Sequence, residues 1–164
     1  MPRQPRVQFP GAIYHITNRG NAKHNIVYDD SDRGLFLRTL RAVVGKYGWR
    51  CYSYCLMDNH YHLVVETPNG NIADGMRFLN GVFAQKINNK YSRVGHIFQG
   101  RYKSFLVKQD SYLVQLIRYV LMNPVRANMV SSPEDYKWSS YAEICGTAHI
   151  KVTDPTYLRL SLTF

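Results

Sequence analysis

Acidic residues are scarce in this chain: 11 aspartates and glutamates stand against 21 lysines and arginines in 164 residues, a net charge of +10. A surplus of that sign on so short a chain points to a polyanionic partner. Cysteine is scarcer. Cys51, Cys55 and Cys145 are an odd count without a CxxC pair, which argues against a disulfide framework or a zinc knuckle and for a reducing cytosol. No run approaches the roughly 18–20 apolar residues of a membrane span. The basic start Met1-Pro2-Arg3-Gln4-Pro5-Arg6 is followed by no apolar stretch of the secretory type. Internal repeats, low-complexity tracts and linker-like stretches are absent too. The chain therefore reads as one domain over 1–164, with a basic arm at 1–9 and a tail at 131–164.

What is present is apolar and aromatic. Apolar residues make up 45% of the chain, enough to fold around a core. Thirteen tyrosines, seven phenylalanines and two tryptophans lie among the bases. Aromatic faces between cations suit single-stranded nucleic acid, where bases stack and phosphates pair.

The pattern places a first strand at Ala12–Thr17, between Pro10-Gly11 and Asn18-Arg19-Gly20-Asn21. A helix follows Asp29-Asp30-Ser31, with Phe36, Leu40, Val43, Val44 and Tyr47 at helical spacing, and stops at Gly48. Trp49 to Met57 and His60 to Glu66 read as a hairpin turned at Asp58-Asn59. Pro68-Asn69-Gly70-Asn71 opens a second helix striped by Ile72, Met76, Leu79, Phe83 and Ile87. Gly75 and Gly81 inside it are unfavourable unless its backbone must approach something closely. His96 to Val107 reads as a strand region with Gly100 as a bulge or a point of DNA approach. Asp110 is expected to cap a third helix that stops at Asn123, before Pro124. From Ser131 the chain reads as irregular or weakly helical. The order β-α-β-β-α-β plus a helix is the ferredoxin-like, split βαβ pattern. It predicts an α+β fold: an antiparallel sheet with two helices on one face, the other left to the third helix or a ligand.

His60-Tyr61-His62 carries the chemistry. Side chains alternate along a strand, so two imidazoles one residue apart stand side by side, half of a metal site. On the third helix Leu113, Leu116, Ile117 and Val120 face the core, while Tyr112, Gln115, Tyr119 and Asn123 form a second, polar-tipped stripe. If that stripe lies over the histidines, Tyr119 Oη approaches a metal held by His60, His62 and Asn123 Oδ1. Such a site would accept Mg²⁺ or Mn²⁺ and bind Zn²⁺ or Ni²⁺ more tightly in vitro. Phenols ionise near pH 10 and are weak nucleophiles, so polarising the phosphate is what makes attack feasible. The product would be a 5′-phosphotyrosine link that another 3′-hydroxyl can later displace without ATP. His15, His24, His96 and His149 lack partner spacing and read as structural, with His15 and His96 also candidates for phosphate contact.

At these residues the chain resembles the REP-associated tyrosine transposases, which belong to the HUH single-tyrosine transposases of the HUH endonuclease superfamily. The matching stretches are Pro10–Gly20, Cys55–Pro68, Val94–Lys103, Tyr119–Arg126 and Trp138–Tyr141, in family order over about residues 5–142. The resemblance implies a divalent metal on His60 and His62, Tyr119 as nucleophile, and single-stranded DNA with short hairpins as substrate. In better-known relatives a glutamine four residues after the tyrosine completes the metal site; here that residue is Asn123, one methylene shorter. Tyr61 fits the bulky middle position, and Asp58 stands where many members carry proline, there to tighten the turn or to add charge near the metal. Some relatives are homodimers in which the tyrosine helix serves the partner's metal, and others are monomers. The expected location is cytoplasmic, on the prokaryotic nucleoid. Candidate DNA contacts are Arg19, Arg101, Lys103, Lys108, Arg118 and Arg126, with Arg3 and Arg6 on the basic arm. The rival function is a non-catalytic, domesticated binder of structured DNA or RNA, because the fold is shared with RNA-binding modules. A replication-initiator or relaxase nuclease is the weaker third reading, since those usually carry further domains.

Overall fold

A computed structural model describes residues 2, 4–108 and 110–156. The elements are β1 (Ala12–Arg19), α1 (Asp30–Tyr47), β2 (Arg50–Leu56), β3 (His60–Thr67), α2 (Ile72–Lys90), β4 (Lys103–Leu106), α3 (Asp110–Leu121), α4 (Asn123–Arg126) and α5 (Tyr141–Ile144). The sheet is antiparallel in the order β2-β3-β1-β4. This is the ferredoxin-like arrangement that the order of elements predicts.

One face of the sheet buries Tyr14, Ile16, Tyr54, Leu56, Tyr61, Leu63 and Val65 against α1 and α2. The predicted α2 stripe, Ile72, Met76, Leu79, Phe83 and Ile87, is fully buried there. Phe36 joins the helices to the sheet: its ring is 5.3 Å from Phe83 and 5.0 Å from Tyr61. A bulge at Tyr52 lets Cys51 and Tyr54 both face this core while Tyr52 and Cys55 turn to the other. On that other face α3 lies across β2 and β3, seating Leu113, Leu116, Ile117 and Val120 on Tyr52, Cys55, Met57 and Val64. Burial raises the Cys51 and Cys55 thiols far above their usual range, so both behave as small apolar side chains.

Gly48 ends α1 in the left-handed conformation at φ 67°. Gly75 answers its own puzzle, because a Cβ there would lie 2.1 Å from the Trp49 ring. Gly81 does not: a Cβ there would meet nothing within 4 Å, although glycine in a helix interior costs about 1 kcal/mol.

Three expectations need correction. The strand expected over His96–Val107 is only Lys103–Leu106; before it the chain makes a single bridge, Phe98 to Gly20, and otherwise loops past the sheet edge. Asp110 is the first helical residue of α3, where its charge suits the helix dipole, rather than its cap. Asn123 does not end the helical path: after a break at Met122 it opens α4, with Pro124 in the first turn, where a missing N–H leaves no bond unmade. The tail is more ordered than its composition suggests. Trp138–Ser140 pairs along the free edge of β2, through Leu56 N–H to Trp138 O (2.8 Å) and Ser140 N–H to Tyr54 O (2.9 Å). No helix among the described residues is long and apolar enough to cross a membrane.

A buried carboxylate ties the start of α1 to the end of α2. Asp32 is fully buried and accepts from Lys90 Nζ (2.7 Å), Tyr91 Oη (2.6 Å) and Tyr28 N–H (2.9 Å). Asp32→Ala leaves those donors without their acceptor. It is expected to cost about 2–3 kcal/mol of folding stability in urea denaturation.

Candidate active site

Strand pairing positions the histidines. β3 is hydrogen-bonded on both sides, so its alternation is fixed: Tyr61, Leu63 and Val65 enter the core under α1 and α2, and His60, His62 and Val64 turn to the α3 side. The His60 and His62 rings lie 5.1 Å apart at 84° to each other. His15 sits on β1 opposite Val64, which makes it the diagonal neighbour of His62. It stacks on His62 at 5.2 Å, with Nε2 2.9 Å from His62 Nδ1.

Each member of the pair has one ring nitrogen engaged. Asn59 Nδ2 donates to the Lys23 carbonyl (3.3 Å), which turns Asn59 Oδ1 toward His60 Nδ1 at 2.7 Å. His60 Nδ1 must then carry the proton, and Nε2 keeps its lone pair. His62 has Nδ1 engaged by His15; donating there, it too keeps the Nε2 lone pair. Burial holds all three rings in the neutral form. It lowers the His15 pKa, lowers that of His60 with help from the Arg19 charge, and pushes His62 down to about 3, aided by His60, His15 and Arg126.

The buried stripe of α3 fixes its rotation, and that brings Tyr119 over the pair, 49% exposed at the rim. Its ring meets His62 edge-on at 6.2 Å and His15 at 6.3 Å. The Arg126 guanidinium lies over the Tyr119 ring, 4.1 Å from its centroid, and donates to the Tyr119 carbonyl at 2.5 Å. Asn123 lines the same cavity, and its Nδ2 is buried without a hydrogen-bond partner. Turning that amide to present Oδ1 there would break no bond at Nδ2. Among the described residues no three His, Cys, Asp or Glu side chains gather to hold a metal; the Asn123 amide is one oxygen donor that the cavity offers beside the two imidazoles. Two neutral imidazoles and an amide oxygen are donors that suit a divalent cation.

The cavity around this group is about 660 Å³. Among the described residues Arg19, Lys23, Arg101 and Lys103 line it, and no carboxylate does. A phenol beside imidazoles in an all-cationic cleft suits a phosphodiester.

Residues 8–123 match the family described as IS200-like transposases. The chain belongs to that family. A Haemophilus influenzae protein assigned to the REP-associated tyrosine transposases is 24% identical over 106 residues, 58% of this chain and 60% of that one. The chain thus spans about 60% of the length of that curated relative. The structure of a REP-associated tyrosine transposase bound to a REP hairpin superposes with a TM-score of 0.75 at 16% identity, covering 94% of both chains. That likeness speaks for the fold, and the resemblance drawn from the motifs is borne out.

In this member of the IS200-like family the predicted cations separate into groups. Arg19, Arg101 and Lys103 line the cleft, and Arg19 is steadied by Gln99 Oε1 (2.9 and 3.3 Å). Arg126 covers Tyr119. Lys108 is exposed and Arg118 half-buried, both outside the cleft lining. Arg6 stacks on the Tyr102 ring at 4.0 Å and donates to the Tyr102 carbonyl, away from the histidines. Arg3 lies outside the described residues. Asp58 adds no charge to the site: it pairs with Arg33 Nη2 at 2.9 Å, toward α1. Sequence reasoning missed Asn59, Lys23 and Gln99. Asn59 read only as a turn residue, Lys23 lay in an unassigned loop, and Gln99 sat inside a matching stretch without a role.

Proposed function

We propose that this protein is a metal-dependent transposase or endonuclease that cuts and rejoins single-stranded DNA beside REP-like hairpins. The observation that carries this reading is the Tyr119 ring lying edge-on to His62, 6.2 Å away, in a cleft lined by cations alone among its charged residues. Arg19, Arg101 and Lys103 hold the strand by its phosphates, and Arg126 keeps Tyr119 at the cleft. The Tyr119 oxygen attacks phosphorus, the bond from phosphorus to the 3′-oxygen breaks, and that oxygen leaves as a hydroxyl. The proton lost by the phenol is balanced by the one the leaving oxygen takes up. The product is a 5′-phosphotyrosine, and attack by another 3′-hydroxyl reverses the step and joins strands. His60, His62 and Asn123 would hold a divalent ion, Mg²⁺ or Mn²⁺, and such an ion would supply Lewis acidity to the phosphate. Tyr119 lies near His62 within one chain, which supports action in cis.

The test is an oligonucleotide with a hairpin and a single-stranded flank, incubated with protein and Mn²⁺. An SDS-resistant adduct should retain a label at the 3′ end of the DNA and release one at the 5′ end. Absence of an adduct with any divalent ion, alongside tight hairpin binding, would favour the non-catalytic binder instead.

A further inference from the structure

A second cavity, of about 690 Å³, adjoins the histidine cleft and shares Asn18, Gln99, Gly100 and Arg101 with it. The matching stretch Val94–Lys103, which the chemistry above leaves largely unused, forms much of its wall. Its charged lining is Arg6, Arg77 and Arg101, without a carboxylate. Arg77 is well exposed, and its one ion pair, to Asp74, is long at 3.7 Å. Gly81 of α2 also lines it, the helix-interior glycine whose Cβ would meet nothing within 4 Å among the described residues. A bare backbone there leaves room for something flat to lie against the helix. At the junction with the cleft stands Asn18, only 7% exposed. Its Oδ1 accepts from the Arg19 N–H at 3.0 Å, while its Nδ2, beside the Tyr61 hydroxyl, makes no hydrogen bond of good geometry. The Tyr102 hydroxyl, also in this wall, is buried with the Arg6 side chain near it but makes no hydrogen bond of good geometry. Poorly satisfied buried polar atoms beside a concentration of guanidinium charge are what a polar anionic ligand would complete.

We infer that this second cavity is a subsite for one unpaired nucleotide of the strand leaving the histidine cleft, its base against Gly81 and its phosphate on Arg77 and Arg101. The inference rests on the reading of the cleft as a single-stranded-DNA site. It gives the protein a way to hold a flanking base at a fixed distance from the reacting phosphate, through the shared residues Asn18 and Arg101.

The test measures binding in EDTA, so it does not depend on cleavage. Gly81→Leu puts a side chain into the cavity, and Gly81→Ala is the control for the helix. Gly81→Ala should melt higher than the parent, since alanine favours the helix. Gly81→Leu should weaken binding of a hairpin with a single-stranded flank by about tenfold and leave binding of the same hairpin without a flank unchanged. Arg77→Ala, a surface change, should lower affinity for the flanked hairpin alone. 2-Aminopurine moved along the flank should report one enclosed position that Gly81→Leu abolishes. Unchanged affinity of Gly81→Leu for the flanked hairpin, or equal loss on both DNAs, would overturn the subsite. A protein that never forms an adduct can still pass this test, and one that cleaves can fail it.

Discussion

Tyr119→Phe should abolish the covalent adduct and lower strand cleavage by roughly 10³-fold or more, while DNA affinity stays within about threefold of the parent. The change removes one oxygen and keeps the ring. The ring makes the visible contacts, with His15, His62 and Arg126, so the cleft keeps its shape and its bound strand. Only the proposed nucleophile is lost: Tyr112, the other exposed tyrosine of α3, is outside the cavity lining. Single-turnover cleavage of a hairpin oligonucleotide, with binding by fluorescence anisotropy alongside, separates the two effects. An adduct that persists in Tyr119→Phe would assign the nucleophile elsewhere. A parallel fall in affinity and cleavage would make Tyr119 a binding residue instead.

The pairing of His60 with His62 was legible because strand alternation depends only on local sequence, and the apolar partners Tyr61, Leu63 and Val65 fix which face is which. The rotation of α3 was legible for the same kind of reason, a one-sided stripe that can be buried in only one way. What supports the pair was not. His15 reaches His62 through the register of β1 on β3, and register depends on where two distant strands meet. Asn59 acts on His60 because its amide nitrogen is taken by a carbonyl at Lys23, a long-range contact that no pattern encodes. Strand β4 was overextended because the aromatics around Phe98 resemble strand residues, whereas they fill the core edge from a loop. The neighbours of the cations were the least legible. Arg6 and Arg126 each lie on a tyrosine ring, and partner choice among arginines is a matter of three-dimensional neighbours rather than of count.

The second large effect is expected at His60, and Asn59 should show a graded version of it. His60→Ala removes one of the two imidazoles that line the cleft, leaving a donor set too small for a divalent ion at ordinary concentrations. Cleavage should fall to background while hairpin binding and its steep dependence on salt are retained, because the cleft-lining cations Arg19, Arg101 and Lys103 are untouched. Asn59→Ala keeps both imidazoles but frees the His60 ring to rotate and to move its proton to Nε2, where it would block coordination. Loss of such an orienting partner typically costs 10–100-fold in metal affinity. The expected pattern is therefore a rise of about that size in the Mn²⁺ needed for half-maximal cleavage, with full rate recovered at saturating Mn²⁺. Asn59→Asp should restore most of it, because a carboxylate also accepts from His60 Nδ1. A purely structural role for the turn predicts otherwise: Asn59→Ala would lower thermal stability and maximal rate together and leave the Mn²⁺ requirement unchanged. Undiminished cleavage by His60→Ala would remove the metal from the mechanism altogether, because an intact rate would mean that the cationic cleft and the tyrosine suffice.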